Sequence, residues 1–105
     1  MFTFIELSGF SKRRKVLLAD DDYQEMQEAL ISNPERGALL VGTGGFRKLR
    51  WSRPGMGKSG GVRVIYYNVA SSGRLYLALI ISKNEDDNIT DEQKLVLKKL
   101  ASQLK

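Results

Sequence analysis

The sequence predicts a single α+β domain over residues 1–105, with the order β-α-α-β-β-β-α and a mainly antiparallel sheet packed against helices. Three observations predict it. The second half holds apolar and alternating runs bounded by glycine-rich turns. An i, i+3, i+4 apolar stripe spans residues 23–31, and a capping signal at Thr90 precedes a second stripe. The 105 residues, 42% of them hydrophobic, suit one compact unit with a small core, and no internal repeat or linker divides them.

Phe2-Thr3-Phe4-Ile5-Glu6-Leu7 is rich in aromatic and β-branched types and reads as the first strand. Ser8 or Ser11 then caps a short helix through Leu18, whose exposed part is Lys12-Arg13-Arg14-Lys15. Asp20-Asp21-Asp22 opens a second helix, where acids accept orphan N–H groups and suit the positive end of the dipole. Tyr23, Met26, Gln27, Leu30 and Ile31 form its stripe, and Asn33-Pro34 ends it. Gly42-Thr43-Gly44-Gly45 is a turn, and Phe46–Trp51 the next strand. After a glycine-rich loop, Val62–Val69 and Leu75–Ser82 form a hairpin about Ser71-Ser72-Gly73. The second of these strands is almost wholly apolar, as a strand covered on both faces must be. Thr90, with Gln93 three residues on, opens a C-terminal helix with Val96, Leu97, Leu100, Ala101 and Leu104 on one face.

Composition narrows the chemistry. The chain has no cysteine and no histidine, which excludes disulfides, thiolate nucleophiles, zinc fingers and the most common general base. The longest apolar run, Leu75–Ile81, is far short of a membrane span, and Met1-Phe2-Thr3-Phe4 does not resemble a signal peptide, so a cytoplasmic protein is expected. The net charge of +5 is unevenly spread. No carboxylate lies between Glu35 and Glu85, a window that holds nine Lys and Arg residues, while the rest of the chain is net negative. Single-sign clustering of this kind favours a polyanionic partner over a surface kept basic for solubility.

Two motifs mislead. Gly55-Met56-Gly57-Lys58-Ser59-Gly60 matches G-x-G-x-x-G and the end of a P-loop, but a strand follows where a helix N-terminus would have to meet the phosphates. Glu85-Asp86-Asp87 could hold a metal in principle, yet solvated turn acids ahead of a capped helix are the expectation. No metal and no organic cofactor is implied.

The informative constellation is basic. Alternation along Phe46–Trp51 puts Leu49 and Trp51 on a core face and sends Lys48 and Arg50 to the other. Arg63 comes from the next strand and Lys83 from the end of the last, so three strands aim these four cations at a common surface. Phosphodiester suits it, because Arg forks bind phosphate oxygens and Lys supplies a point charge. Phe46, Tyr66 and Tyr67 either pack in the core or stack on unpaired bases, Tyr67 being the candidate for stacking.

The same residues resemble a family. The element order and the combination Gly42-Thr43-Gly44-Gly45-Phe46-Arg47-Lys48-Leu49-Arg50, then Gly60-Gly61-Val62-Arg63-Val64-Ile65-Tyr66-Tyr67, then Lys83-Asn84-Glu85 are similar to those of the RelE/HigB toxins of bacterial type II toxin–antitoxin modules, closest to the HigB-like branch. The resemblance implies a RelE-like microbial RNase fold and a ribosome-dependent mRNA interferase that cuts translated mRNA in the ribosomal A site. It implies a cognate antitoxin, expected to carry a helix-turn-helix domain, through which alone the toxin would reach operator DNA. Carried across, Lys48 and Arg50 match the family's basic strand pair, Arg63 its phosphate-binding arginine, and Lys83 the basic residue ending the last strand. The implied reaction is attack of the ribose 2′-OH on the adjacent phosphate. Lys48, crowded by other cations, is the leading candidate for the base. Arg50 and Arg63 would hold the phosphate, and Lys83 would assist the leaving group or bind a neighbouring phosphate. Arg47, Arg53 and Lys58 are expected to contact mRNA or ribosomal RNA backbone. Where the RelE archetype has a further arginine after the last strand and a tyrosine beginning the C-terminal helix, this chain has Asn84 and Ile89, which leaves the final proton to water or the ribosome. A gyrase-inhibiting toxin of the ParE type and a non-catalytic RNA- or ribosome-binding module are the alternatives. The clustered basic strand residues speak against the first.

Overall fold

A computed structural model describes residues 2–52, 61–83 and 89–105. The elements run β1 (Thr3–Glu6), α1 (Ser8–Leu17), α2 (Asp20–Ser32), β2 (Ala38–Leu39), β3 (Arg47–Trp51), β4 (Val62–Val69), β5 (Arg74–Ser82) and α3 (Asp91–Leu104). They form one five-stranded sheet in the order β1-β5-β4-β3-β2, with β1 parallel to β5 and the other neighbours antiparallel. The expected α+β order holds, with β2 as an addition. Two residues are too few to carry a periodic signal.

Each sheet face has its own core. Phe10, Leu18, Met26 and Leu30 of the α1–α2 hairpin pack on Leu49, Val64, Tyr66, Leu75 and Leu77. On the other face Leu97 and Ala101 of α3 pack on Phe46, Ile65, Tyr67, Val69 and Ala78. The apolar strand β5 is therefore covered on both sides, as its composition requires.

β5 also contains a register shift. Tyr66 pairs with Leu77 but Ile65 with Leu79, so Ala78 is the extra residue of a bulge. Leu75 and Leu77 face the helix hairpin, Ala78 and Leu79 both face the α3 side, and Ile80 returns to the hairpin. Beyond the bulge the alternation is reversed, which turns Ile81 toward the face that carries Arg63, its partner in the ladder.

Local signals explain most boundaries. Gly42, Gly44 and Gly45 take positive φ values of 84°, 76° and 122°, and the buried Thr43 Oγ1 donates to Leu40 O and accepts from Phe46 N, closing the turn. At α3, Thr90 Oγ1 accepts from Gln93 N at 3.1 Å and Gln93 Oε1 from Thr90 N at 2.9 Å, a complete capping box. The expected stripe is narrower than predicted, because Val96 stays exposed while Leu97 and Ala101 are buried.

The first two helices depart from expectation at their starts. Leu7 and Ala19 are the N-cap residues and neither gives a side-chain cap. Ser11 instead donates to Glu6, and Asp20–Asp22 sit within the first turn of α2, where they answer the dipole. The run Lys12–Lys15 is not an exposed stretch throughout. Arg13 donates to Ile80 O at 3.2 Å, and Arg14 is buried, donating to Asp20 Oδ1 at 2.6 Å with its guanidinium 4.4 Å from the Tyr23 ring centroid. Tyr23 OH donates to Glu6 Oε2, so β1, α1 and α2 meet at one polar knot.

That knot sets an acid limit. Burial pushes the Glu6 carboxyl up, but hydrogen bonds from Tyr23 and Ser11, with the charge of Arg14, outweigh it and hold the group below its ordinary 4.5. A carboxyl depressed in the fold stabilises it above the unfolded value, and that contribution is lost as pH falls through the folded one. Urea unfolding measured from pH 6 downward is expected to show stability falling below 4.5. The Glu6→Gln variant should fall less steeply across that window, and equal slopes would show that the knot does not carry the effect.

Candidate nucleic-acid interface

β3, β4 and β5 build the basic face. In β3, Leu49 is buried in the hairpin-side core and Trp51 packs against it, which leaves Lys48 and Arg50 on the opposite face. The ladder then sets Arg50 directly across from Arg63, with Lys48 across from Ile65. On its other side Arg63 pairs with Ile81. One step further, Lys83 N donates to Gly61 O at 3.0 Å, and a Cβ on Gly61 would lie 3.1 Å from Lys83 Cδ, so the lysine stem passes over Gly61. Gly61 immediately precedes β4, two residues before Arg63, and its bond from Lys83 N continues the ladder, so the two share a face. The structure thus gathers Lys48, Arg50, Arg63 and Lys83 on one side of the sheet, beside the part that α3 covers. Arg50 and Lys83 are exposed, Lys48 and Arg63 half-buried.

Opposed arginines are a costly arrangement in a sheet. Directly facing residues have Cβ atoms about 5 Å apart, and like charges there oppose folding, where an opposite-charge pair would contribute roughly 0.2–1 kcal/mol. No carboxylate occurs within residues 36–84. An anion placed between Arg50 and Arg63 would turn this repulsion into two charge-assisted bonds. Chemically, the face can hold a phosphoryl group and stabilise added negative charge on it.

Two expected RNA contacts are placed elsewhere. Tyr67 is 7% exposed, its ring centroid 5.1 Å from that of Phe46 in the α3-side core, so it offers no face for stacking. Phe46 and Tyr66 are fully buried as well. Arg47 follows the same alternation that separates Lys48 from Leu49, and it points away from the basic face. Its guanidinium donates to Glu35 O at 3.2 Å and Gly37 O at 2.7 Å, and lies 3.6 Å from the Glu35 carboxylate. Arg53, Lys58 and the Glu85-Asp86-Asp87 cluster lie outside the described residues. Ile89 is half-buried against the α3-side core.

One cation was missed by the strand argument. Arg36 lines a depression with Lys48 and Arg50 at the outer edge of β3. It belongs to no periodic element, and only its membership of the acid-free window marks it in the sequence. Among the described residues no group of three or more potential metal ligands occurs, and no helix is long and apolar enough to cross a membrane.

Comparison with known proteins agrees with this architecture. A chain of the crystal structure of the intact E. coli RelBE toxin–antitoxin complex is similar over 81% of this chain and all of its own length, with 12% identity and a TM-score of 0.61. The free-state structure of a double-arginine mutant of E. coli toxin RelE is similar over 90% of this chain and 94% of its own, with 13% identity and a TM-score of 0.58. At such identities the likeness is one of fold. The family model described as RelE toxin of the RelE/RelB toxin–antitoxin system matches residues 10–105, nearly the whole chain, and the protein therefore belongs to the RelE toxin family.

Proposed function

We propose that this RelE-family toxin is a metal-independent endoribonuclease that cleaves translated mRNA in the ribosomal A site and so inhibits translation. The observation that carries the reading is the Arg50–Arg63 opposition, flanked on the same face by Lys48 and Lys83. In the proposed step the ribose 2′-OH attacks the adjacent phosphorus. The new 2′-O–P bond forms as the P–O5′ bond breaks, giving a 2′,3′-cyclic phosphate and a 5′-OH. Arg50 and Arg63 hold the phosphate oxygens and bind the phosphorane more tightly than the diester, because its charge is greater. Lys48 takes the 2′-OH proton, and Lys83 stabilises the leaving oxygen or an adjoining phosphate. Water or the ribosome returns a proton to the 5′ oxygen.

A cognate antitoxin, by analogy with the RelBE complex to which the fold is similar, would hold the toxin inactive in the cytoplasm. The basic face favours RNA chemistry over the gyrase-directed alternative, since it clusters its cations where a phosphodiester would lie. Mapping of mRNA 5′ ends after induction of the full chain tests the proposal. New 5′ ends within translated codons, absent from untranslated messages, are expected. Arrested growth with intact messages would overturn it.

A further inference from the structure

The outer edge of β3 carries a second cationic position. β2 pairs only with Arg47 and Lys48, and beside the rest of that edge the exposed Arg36 lines a depression together with Lys48 and Arg50. The Arg36 guanidinium lies 5.7 Å from the centroid of the Trp51 ring, within cation–π range. Stacking of this kind covers one face of the fork and leaves its in-plane N–H groups to bind an anion.

The backbone beneath Arg36 is held from both sides. Arg47 Nη1 donates to the carbonyls of Glu35 and Gly37, its two chain neighbours. Tyr66 OH donates to Pro34 O at 2.7 Å and accepts from Gly37 N at 2.9 Å. Burial pushes the Tyr66 phenol up, so it remains a donor. The Glu35 carboxylate lies 3.6 Å from Arg47, which offsets the acid nearest to Arg36 in the chain. A guanidinium fixed in this way gives up less freedom when it binds than one on a mobile stem.

We infer that Arg36 is an RNA-binding residue that takes a phosphate adjoining the one held by Arg50 and Arg63, with Trp51 as its stacking support. The inference rests on the reading that Lys48, Arg50 and Arg63 face an RNA backbone. Trp51 belongs to the hairpin side of the sheet, so Arg36 stands at its rim and carries the basic face around the outer edge of β3, where the depression it shares with Lys48 and Arg50 opens.

The test is fluorescence anisotropy with a short labelled single-stranded RNA bearing 2′-O-methyl riboses, which cannot be cut. Wild type, Arg36→Ala, Arg36→Lys and Arg63→Ala are compared over a range of salt. Arg36→Ala is expected to weaken binding roughly tenfold, as loss of a charged hydrogen-bonding group does. It should also lower the slope of log affinity against log salt by about 0.7, the share of one phosphate contact on a single strand. Arg36→Lys should keep the slope and recover only part of the affinity. If Arg63→Ala weakens binding while Arg36→Ala matches wild type in affinity and slope, the inference fails and the reading of the basic face stands. If Arg63→Ala binds like wild type, the reading of the basic face fails and the role of Arg36 with it.

Discussion

Arg63→Ala is expected to abolish growth inhibition on induction while leaving the fold and the antitoxin complex intact. Arg63 is the central cation of the basic face, with Arg50 across the ladder on one side and Ile81 on the other. Loss of one donor aimed at transition-state charge typically lowers a rate by about 10²- to 10³-fold. Stability should not suffer to match, because Arg63 is half-buried on the sheet surface and belongs to neither core. The measurements are 5′-end mapping, growth after induction and thermal unfolding of the same variant. Loss of cleavage with an unchanged or raised melting temperature supports the assignment. A fully toxic Arg63→Ala protein would remove Arg63 from the site.

Gly37→Ala is expected to have the largest effect on stability for the smallest change in volume. A Cβ there would lie 2.8 Å from Tyr66 Cε1 and 3.0 Å from the backbone carbonyl of Lys48. Neither neighbour can yield readily, since Tyr66 is fully buried and Lys48 is fixed by its pairing with Ala38 and Ile65. Overpacking of this kind costs about 1–3 kcal/mol, or roughly 5–20 °C in melting temperature for a domain of this size. Circular dichroism melts of Gly37→Ala and wild type measure it, and a loss under about 2 °C would mean that β2 moves aside without cost. RNA binding should fall as well, because the same clash displaces both Lys48 and the segment that carries Arg36.

Much of this was legible in the chain, for identifiable reasons. The Thr90–Gln93 box, the stop at Asn33-Pro34 and the bounds of β4 depend on neighbours close in sequence, and each appears where expected. Alternation alone separated Leu49 and Trp51 from Lys48 and Arg50. Applied one residue earlier, it would also have removed Arg47 from the RNA contacts. The adjacency of Arg47 and Lys48 in sequence concealed that they serve opposite faces. Arg14 could not be read in this way, since its burial depends on Asp20 and Tyr23 arriving from the next helix. Tyr67 belonged to the same class of problem. An aromatic residue on a strand is a platform or a core residue according to whether a helix covers that face, and α3 does.

The bulge at Ala78 has a consequence for how such a chain can change. Ala78 is the residue that β5 has in excess of β4 between Leu77 and Leu79. Its removal would leave a regular ladder, with Ile80 still on the hairpin side and Lys83 still beside Gly61. A residue removed beyond the bulge would, with the bulge retained, exchange the sides of everything that follows it, and Lys83 would leave the face that carries Arg63. β5 can therefore shorten by one residue at Ala78, and nowhere nearer its end, without moving the lysine.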